Sequence, residues 1–431
     1  MPTILIKGGH VVDPASDTDS VADVLIKDGK IAALGSVSQA VDTVIDARGL
    51  YVVPGLVDMH THLREPGNEE EETIASGAEC AVSAGVTTLA CMPNTEPAID
   101  NEGSAAFIIL QAERAGKANV FPIGAVTHQR AGERLSEMGG LVRGGAVAFS
   151  DDGSPVRSAE ILRRALLYAK MFGKTIINHC EDTDLSRDGV MHSGYVSMVL
   201  GLPGISSASE EIMVARDLTL CEITGGRLHI AHVSTKGSVD LIRAAKRRGI
   251  EVTCEATPHH FTLTDRCVET FDPNFKMNPP LRSEEDVAAI KEGLRDGTID
   301  VIASDHAPHS REEKELEFSF APFGVIGVET LLPITITELV KPGILSLVDA
   351  VRKLTVNPAQ VLSIDKGTLS VGKDADIAIL DLDTEYTIDP ERFKSKSRNC
   401  PFAGRRVYGK AVKTLVRGKT VFDIAADKCS K

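Results

Sequence analysis

The sequence contains no tryptophan, and only 4% of its 431 residues are aromatic. A surface that stacks nucleic-acid bases needs several aromatic side chains, so such a surface is not expected here. Basic residues are also in the minority, with 47 Lys and Arg against 61 Asp and Glu and a formal charge of −14. This charge argues against binding to nucleic acid or to an anionic membrane.

Two further absences concern membranes and redox chemistry. No apolar run approaches the ~20 residues that a membrane-spanning helix requires. The first residues, MPTILIKGGHVVDP, lack the basic and apolar regions of a signal peptide. The eight cysteines are scattered and none forms a CxxC pair, which favours reduced thiols over disulfides. We therefore expect a cytoplasmic protein without membrane contact.

Two different patterns alternate along the chain. Short segments rich in β-branched residues occupy the first fifty residues and return near the end, as in DADIAIL and KAVKTLVRGKTVFD. This repetition predicts one small β-sandwich domain built from both chain termini, residues 1–53 and 366–431. Residues 54–365 alternate short apolar strands with helical segments, which is typical of a parallel α/β domain.

Eight strand candidates can be counted in this middle region, namely VVPGLVDMH, GVTTLACMP, NVFPIGAV, GAVAFSDD, TIINHCED, RLHIAHVS, IEVTCEAT and IDVIASDH. Eight βα units in about 310 residues predict a (β/α)8 barrel of the TIM type, with its functional side chains at the carboxyl ends of the strands. A doubly wound open sheet is the alternative, but no GxGxxG fingerprint follows any strand.

Histidines and aspartates stand at the ends of five of these strands. The first strand ends in HTH, and strand alternation places both of its histidines on the same side. Imidazole and carboxylate ligands together suit Zn²⁺ or another first-row metal ion. A lone strand-end histidine is more often structural, but independent placement at five strands makes that explanation implausible for the whole set. The six candidate metal ligands are His60, His62, Asp152, His179, His232 and Asp305.

Six ligands exceed the three protein ligands that one catalytic zinc ion needs. The surplus predicts two metal ions ~3.5–4 Å apart that share a carboxylate and a hydroxide. We expect His60, His62 and Asp305 to bind one ion. We expect His179 and His232 to bind the other.

Asp152 is the expected bridging ligand, because an oxygen ligand is needed between the two ions. No lysine stands at the end of the fourth strand, so a carbamylated lysine is not available for this role. The neighbouring Asp151 should point to the opposite face of the strand and act as a structural hydrogen-bond acceptor.

Several segments resemble those of dihydroorotases in the amidohydrolase superfamily. The two most specific are VDMHTHLREPG at 57–67 and ASDHAPHSREEK at 303–314. Between them MPNT, FSDDG, NHCED, AHVST and KMNPPLR follow in the order of the family, so the resemblance covers essentially the whole chain. It is greatest to the bacterial members in which an aspartate replaces the carbamylated lysine.

The resemblance implies a metal-dependent barrel that interconverts N-carbamoyl-L-aspartate and L-dihydroorotate, the third step of pyrimidine biosynthesis. His62 is expected to contact the substrate as well as a metal ion. Asp305 is expected to carry a proton between the attacking water and the ring nitrogen. The resemblance also implies that Asn278 contacts the pyrimidine ring and that backbone groups of Phe323 and Gly324 contact its amide edge.

The substrate carboxylate needs cationic or amide donors in a fixed geometry. The resemblance assigns this role to Arg64, Asn94 and His309. Two other interpretations stay open at this point. Arg64 can form a loop salt bridge with Glu65 or a member of Glu69–Glu72, and Asn94, which follows a proline, can be a turn residue.

Two other functions also stay open. HxH with later His, His and Asp occurs in hydantoinases and allantoinases, although those enzymes have no reason to gather three carboxylate-binding residues. A dihydroorotase-like chain can also be an inactive scaffold for aspartate transcarbamoylase, but such chains lose ligand residues that are present here. We expect a homodimer that acts on a small molecule, alone or in association with aspartate transcarbamoylase.

The remaining polar features carry less information. His259 and His260 at the end of the seventh strand are expected to pack in supporting roles, while the sequence does not decide whether His128 lines the pocket. The segment Ser310–Phe323 follows the eighth strand and is long and charged. It is either a lid over the site or a plain solvated loop.

Overall fold

A computed structural model describes residues 3–427 of the chain. The first strands are β1 (Ile4–Asp13), β2 (Thr18–Lys27), β3 (Lys30–Gly35), β4 (Thr43–Asp46) and β5 (Tyr51–Pro54). They are followed by β6 (Leu56–Thr61), β7 (Val86–Cys91), β8 (Asn119–Gly124), β9 (Ala148–Phe149), β10 (Thr175–Asn178), β11 (Met191–His192), β12 (Gly204–Ile205), β13 (Arg227–Ile230), β14 (Val252–Ala256) and β15 (Val301–Ile302). The last strands are β16 (Ile377–Asp381), β17 (Tyr386–Thr387), β18 (Arg406–Val407), β19 (Lys410–Val416) and β20 (Lys419–Asp423).

The α-helices lie mainly between the middle strands. They are α1 (Ile74–Ser83), α2 (Glu102–Ala115), α3 (Met138–Arg143), α4 (Ala159–Lys170), α5 (Thr183–Ser186), α6 (Tyr195–Leu200), α7 (Ser207–Thr224), α8 (Lys236–Arg247), α9 (Glu284–Asp296), α10 (Arg311–Lys314), α11 (Val328–Thr335), α12 (Leu347–Leu354), α13 (Val356–Leu362) and α14 (Ile424–Asp427). Within residues 3–427, none of them combines the length and apolar character needed to cross a membrane.

Local sequence explains where these helices begin and which face they bury. The Ser283 hydroxyl accepts a hydrogen bond from the Asp286 amide at the start of α9, and the Asp286 side chain accepts in return from the Ser283 amide. This capping box satisfies amide groups that have no partner inside the helix. Helix α8 buries Val239, Ile242 and Ala245, whose spacing of three places them on one stripe against the strands.

The central sheet has the strand order β6-β7-β8-β9-β10-β13-β14-β15, and all of its neighbouring strands are parallel. Each of the eight strand candidates contains one of these strands. A bridge between Thr61 and His306 joins the first strand to the segment after the last, and the His62 amide donates to the His306 carbonyl at 2.8 Å. The predicted (β/α)8 barrel is therefore confirmed.

A second sheet contains strands from both ends of the chain. Its order is β20-β19-β16-β5-β1-β2-β3, with β4 beside β1. It encloses a separate apolar core that includes Ile6, Ile26, Val52, Ile377 and Leu415. The sheet agrees with a small β domain made from both termini, while the division of the chain at residues 54 and 366 stays a prediction.

A buried carboxylate joins this sheet to the barrel. Asp376, just before β16, is 5% exposed. One of its oxygens accepts hydrogen bonds from Asn119 Nδ2 at 3.0 Å and from Lys366 Nζ at 2.8 Å. Its other oxygen accepts from the Arg417 amide at 2.8 Å. Because Asn119 begins the barrel strand β8, the carboxylate links the two sheets directly.

Replacing this carboxylate should weaken the whole molecule. Asp376→Ala removes one acceptor each from Asn119 Nδ2, Lys366 Nζ and the Arg417 amide, and we expect the free energy of unfolding to fall by about 2–3 kcal/mol. The matched control is Asp365→Ala, which removes an exposed partner of Lys373 and should cost less than about 1 kcal/mol. Urea denaturation followed by circular dichroism measures both. Equal losses would show that Asp376 does not join the sheets.

Candidate active site

The structure brings all six predicted metal ligands together at the carboxyl end of the barrel. Each belongs to a strand or lies within three residues of the end of one, and parallel strands of a barrel end at the same rim. None of the six residues is more than 8% exposed. They are His60, His62, Asp152, His179, His232 and Asp305.

His60, His62 and Asp305 form the first group of potential ligands. His62 Nε2 lies 3.1 Å from Asp305 Oδ1, and His60 Nε2 lies 3.4 Å from the same oxygen. One ligand atom from each residue lies within 4.8 Å of the other two. This is the grouping expected from the sequence for the first metal ion.

Asp152 lies between this group and the remaining histidines. Its Oδ2 is 3.3 Å from His60 Nε2 and 3.5 Å from His62 Nε2, whereas its Oδ1 is 3.3 Å from His232 Nε2. His179 Nδ1 is 2.9 Å from His232 Nε2 and 3.9 Å from Asp152 Oδ1. The two oxygens of one carboxylate thus face two different sets of histidines. Ligand atoms of His60, Asp152 and His232 also lie within 4.8 Å of one another, so His60 contributes to both sides of the cluster.

Two buried atoms of this cluster, His60 Nε2 and Asp152 Oδ1, have no hydrogen-bond partner among residues 3–427. A buried polar atom without a partner costs free energy, and such atoms are rare in folded proteins. Both atoms face the space enclosed by imidazole nitrogens and carboxylate oxygens. This donor set fits a divalent first-row metal ion, which would bind the unpaired atoms.

The charges of the cluster fit a cation as well. Burial alone would raise the pKa of Asp152 and of Asp305, but the nearby histidines, with His60 foremost, hold both pKa values well below the usual range. Burial alone would likewise lower the pKa of His60, but Asp152 and Glu255 help to raise it well above its usual value. The carboxylates therefore remain ionised and require positive charge beside them.

Glu255 of β14 is a functional residue that the sequence analysis missed. Its carboxylate contacts His60 Nδ1 and lies 3.2 Å from His229 Nε2. Burial would raise the pKa of Glu255, but His60 and His229 outweigh burial and lower it to about 2. A glutamate inside the apolar strand IEVTCEAT was the available signal, because such a residue needs a buried partner.

Two more side chains orient the ligands from behind. Glu181 Oε2 lies 2.8 Å from His179 Nε2, and Asn94 Oδ1 lies 2.7 Å from His62 Nδ1. Bonds of this kind determine which ring nitrogen of a histidine faces a metal ion. Asn278, predicted to contact the substrate, donates to Glu181 Oε2 at 3.1 Å. Asn94 uses its oxygen on His62, which leaves its Nδ2 donor for a substrate.

Arg64 is held in place by the protein at one edge of its guanidinium group. The side chain is buried, its Nε donates to the Pro308 carbonyl at 3.1 Å, and Glu71 Oε2 lies 2.8 Å from the same nitrogen. The salt bridge considered as an alternative is therefore present, with Glu71 as the partner. Arg64 Nη2 lies 3.4 Å from His309 Nε2. The terminal nitrogens of Arg64 therefore extend toward His309, which is also predicted to bind the carboxylate.

His309 connects this arginine to the loop after β15. Its Nε2 donates to the Phe323 carbonyl at 2.8 Å. Burial, together with the positive charges of Arg64 and Lys314, lowers the pKa of His309 to about 3. The next residue, Gly324, has φ 129°, and a Cβ there would lie 2.8 Å from Ala307 Cβ. Only glycine fits this close approach.

The three other histidines considered in the sequence analysis, His128, His259 and His260, lie outside the group of candidate ligands. His260 lies 2.8 Å from Thr257 Oγ1 through Nδ1 and 2.9 Å from the Pro279 carbonyl through Nε2. His259 is buried beside it, and its Nε2 has no hydrogen-bond partner. His128 is paired with Asp100 at 2.6 Å.

The neighbouring aspartates 151 and 152 have different surroundings. Asp151 accepts hydrogen bonds from the amide and the hydroxyl of Thr127, at 3.1 Å and 2.5 Å. Both of its oxygens are therefore satisfied by the loop after β8. Asp152 alone of the two faces the histidine cluster.

Comparison with known proteins identifies the family. Residues 49–238 match the model of the dihydro-orotase-like family, and residues 327–422 match the amidohydrolase family. A dihydroorotase of Pelotomaculum thermopropionicum is 56% identical over 97% of this chain and 98% of its own length. Dihydroorotases of Acetivibrio thermocellus and Syntrophus aciditrophicus are 52% and 50% identical over 97% of this chain and 98% and 99% of their own lengths.

Solved structures of related enzymes have the same fold at lower identity. The L-hydantoinase of Arthrobacter aurescens matches with a TM-score of 0.88 and 30% identity, over 98% of this chain and 96% of its own. The dihydropyrimidinase of Brevibacillus agri matches with a TM-score of 0.84 and 26% identity, over 98% and 95%. Sequence identity of at least 50% over nearly the full length separates the first relatives from these more distant ones. The chain belongs to the dihydroorotase family of the amidohydrolases.

Proposed function

We propose that the protein is a dihydroorotase, which interconverts L-dihydroorotate and N-carbamoyl-L-aspartate in the third step of pyrimidine biosynthesis. The observation that carries the proposal is the Asp152 carboxylate between two sets of histidines, together with the buried Arg64, whose charge acts on His62 and Asp305. The cluster has the ligands of a metal centre that hydrolyses a cyclic amide. Arg64 can bind the carboxylate of the substrate.

The ligand set supports two zinc ions in each chain. His60, His62 and Asp305 would hold one ion, while His179 and His232 would hold the other. Asp152, with one oxygen toward each set, would bridge them together with a hydroxide. Bound metal ions of this kind supply an activated water at neutral pH and polarise the amide carbonyl.

Asp305 is the proposed proton carrier of the reaction. In hydrolysis, water adds to the ring carbonyl, and the bond between that carbonyl carbon and the ring nitrogen breaks. Asp305 accepts the proton of the attacking water and delivers it to the departing nitrogen. In ring closure the ureido nitrogen bonds to the carbon of the side-chain carboxyl group of N-carbamoyl-L-aspartate, and Asp305 takes the proton from that nitrogen and delivers it to the oxygen that leaves as water. Despite burial, His60 and His62 hold the pKa of Asp305 below its usual value, so the carboxylate is ionised and can accept a proton at the start of hydrolysis.

Substrate binding is assigned to residues around the cluster. Arg64 would bind the substrate carboxylate through its terminal nitrogens, because its Nε is already engaged by Pro308. His309 and the Nδ2 donor of Asn94 would complete that site. The ring would be held by His62, Asn278 and the backbone of Phe323 and Gly324. These groups hold the substrate in a reactive orientation, which lowers the entropic contribution to the activation free energy.

The other functions considered from the sequence fit less well. A hydantoinase is a more distant relative at 30% identity, and its neutral substrate would give the buried Arg64 no carboxylate to bind. An inactive scaffold would not need six converging ligands, all of which are present. Zinc as the natural metal, the homodimer, association with aspartate transcarbamoylase and the cytoplasmic location stay predictions.

Removing one proposed ligand from each metal ion tests the proposed metal centre. We expect His60→Ala and His179→Ala each to lower kcat/KM for L-dihydroorotate by at least about a hundredfold and to reduce the bound metal. The control is His10→Ala, since His10 lies in the terminal sheet and pairs with Asp19. Activity and metal content by mass spectrometry are measured together. Full activity of His60→Ala or His179→Ala after metal depletion would contradict the metal centre.

The two adjacent aspartates provide an internal comparison for the bridge. Asp152→Asn should remove most of the activity and part of the bound metal, since an amide is a poorer bridging ligand than a carboxylate. Asp151→Asn should mainly lower the melting temperature, because it disturbs only the bonds to Thr127. Metal content, kcat and melting temperature are compared for both variants. The reverse pattern would assign the bridge to Asp151.

Arg64→Lys separates a dihydroorotase from a hydantoinase. A lysine retains the charge but cannot form the planar two-point contact of arginine with a carboxylate. We expect kcat/KM for L-dihydroorotate to fall by about ten- to a hundredfold, with little change for hydantoin, which has no carboxylate. Both substrates are measured with wild type and variant. An equal loss on both would show that Arg64 has only a structural role.

A further inference from the structure

A buried lysine lies in the loop that follows β15. Lys314, the last residue of α10, is 8% exposed. Its Nζ donates to the carbonyls of Pro322 and Gly324 at 3.0 Å each, and to the Lys276 carbonyl at 3.5 Å. A lysine ammonium group has three donors, so all of them are directed at backbone carbonyls of the protein.

These carbonyls belong to two segments that are far apart in sequence. Lys276 lies two residues before Asn278, and Pro322 and Gly324 lie on either side of Phe323. A direct hydrogen bond from the Gly324 amide to the Lys276 carbonyl, 3.0 Å long, also joins the segments. Lys314 therefore links the backbone just before Asn278 to the backbone around Phe323. Both segments carry groups that are assigned to the substrate ring.

Stability alone does not account for a charge at this place. Lys314 Nζ makes no ion pair within residues 3–427. The charges of Asp272 and Glu313 favour its ionised form, but burial and the nearby charge of Lys276 outweigh them and lower its pKa to about 7. Burying an ammonium group without a directly paired carboxylate costs free energy. An apolar side chain of similar length would fill the space without that cost, but it could not hold the carbonyls.

The segment that Lys314 holds would otherwise be unusually free. Gly324 has a backbone conformation with φ 129°, and glycine loses the most conformational freedom when it is fixed. Other side chains help to hold it. His309 donates to the Phe323 carbonyl, and Asn399 Nδ2 donates to the Gly324 carbonyl at 3.1 Å. Among these donors, Lys314 is the one that also reaches the Lys276 segment.

We propose that Lys314 is a positioning residue that holds the Phe323–Gly324 backbone and Asn278 in the relative arrangement needed to bind the substrate ring. The inference rests on the proposed function, because it assumes that these groups contact dihydroorotate. Lys314 does not contact the reacting atoms itself. Its loss should therefore weaken binding more than it slows the chemical step.

Lys314→Met tests this role, because methionine retains most of the length but none of the donors. We expect KM for L-dihydroorotate to rise about tenfold while kcat changes less than about threefold. Hydrogen–deuterium exchange should increase in residues 322–326 and 276–278. A purely structural role would lower the melting temperature and leave KM of the folded enzyme unchanged.

Arg311→Met is the matched control on the same short helix. Arg311 is exposed and pairs outward with Glu391 at 2.8 Å, so its loss should leave KM and the exchange of residues 322–326 unchanged. If Lys314→Met does not fold, Lys314→Gln is measured by the same criteria, since glutamine is shorter and has only two side-chain donors.

The outcomes distinguish the two proposals. A folded Lys314 variant with wild-type KM and wild-type exchange would overturn the positioning role. An equal rise in KM for Arg311→Met would also overturn it, because the effect would then belong to the loop in general. A wild-type enzyme with bound metal that does not convert L-dihydroorotate would instead overturn the proposed function, whatever the exchange of the variants.

Discussion

The buried carboxylate of Asp152 is the interaction on which the site depends. Its two oxygens face different histidines, 3.3 Å from His60 and 3.3 Å from His232. An ionised group at this depth is costly unless opposite charge surrounds it. The barrel meets this condition by directing imidazole groups at Asp152 from the ends of β6, β10 and β13. The same arrangement leaves unpaired buried atoms that a metal ion would bind.

A second layer of side chains holds that cluster in place. Glu255 contacts His60, Glu181 contacts His179 and Asn94 contacts His62, so three ligand rings are held from behind. Such contacts select the nitrogen that faces the metal and limit rotation of the ring. Their number explains why so many polar groups are buried at one end of an otherwise apolar barrel. The precision of the site comes from rigid strands, whereas its selectivity comes from loops.

Closure of the barrel determines which loops meet over the cluster. The bridge between Thr61 and His306 places the segment after β6 beside the segment after β15. Arg64 therefore contacts His309 although 245 residues separate them. Lys314 and His309 then hold the carbonyls of Pro322, Phe323 and Gly324 in the segment after β15. The proposed substrate site thus depends on closure of the barrel, which brings the segments after β6 and β15 together, as well as on its individual residues.

Strand-end residues made the barrel and its six ligands predictable, because strand alternation and parallel strand ends determine where a side chain such as His62 or Asp305 points. The same rules separated Asp152 from Asp151. Contacts between distant segments were not predictable, since no local pattern encodes them. Examples are Glu255 behind His60 and Lys314 on two backbone segments. The sequence by itself thus determined the fold and which six side chains converge as candidate metal ligands, because both follow from local periodicity. Only the tertiary structure decided which partners orient those residues, because burial and charge compensation depend on neighbours that folding brings together.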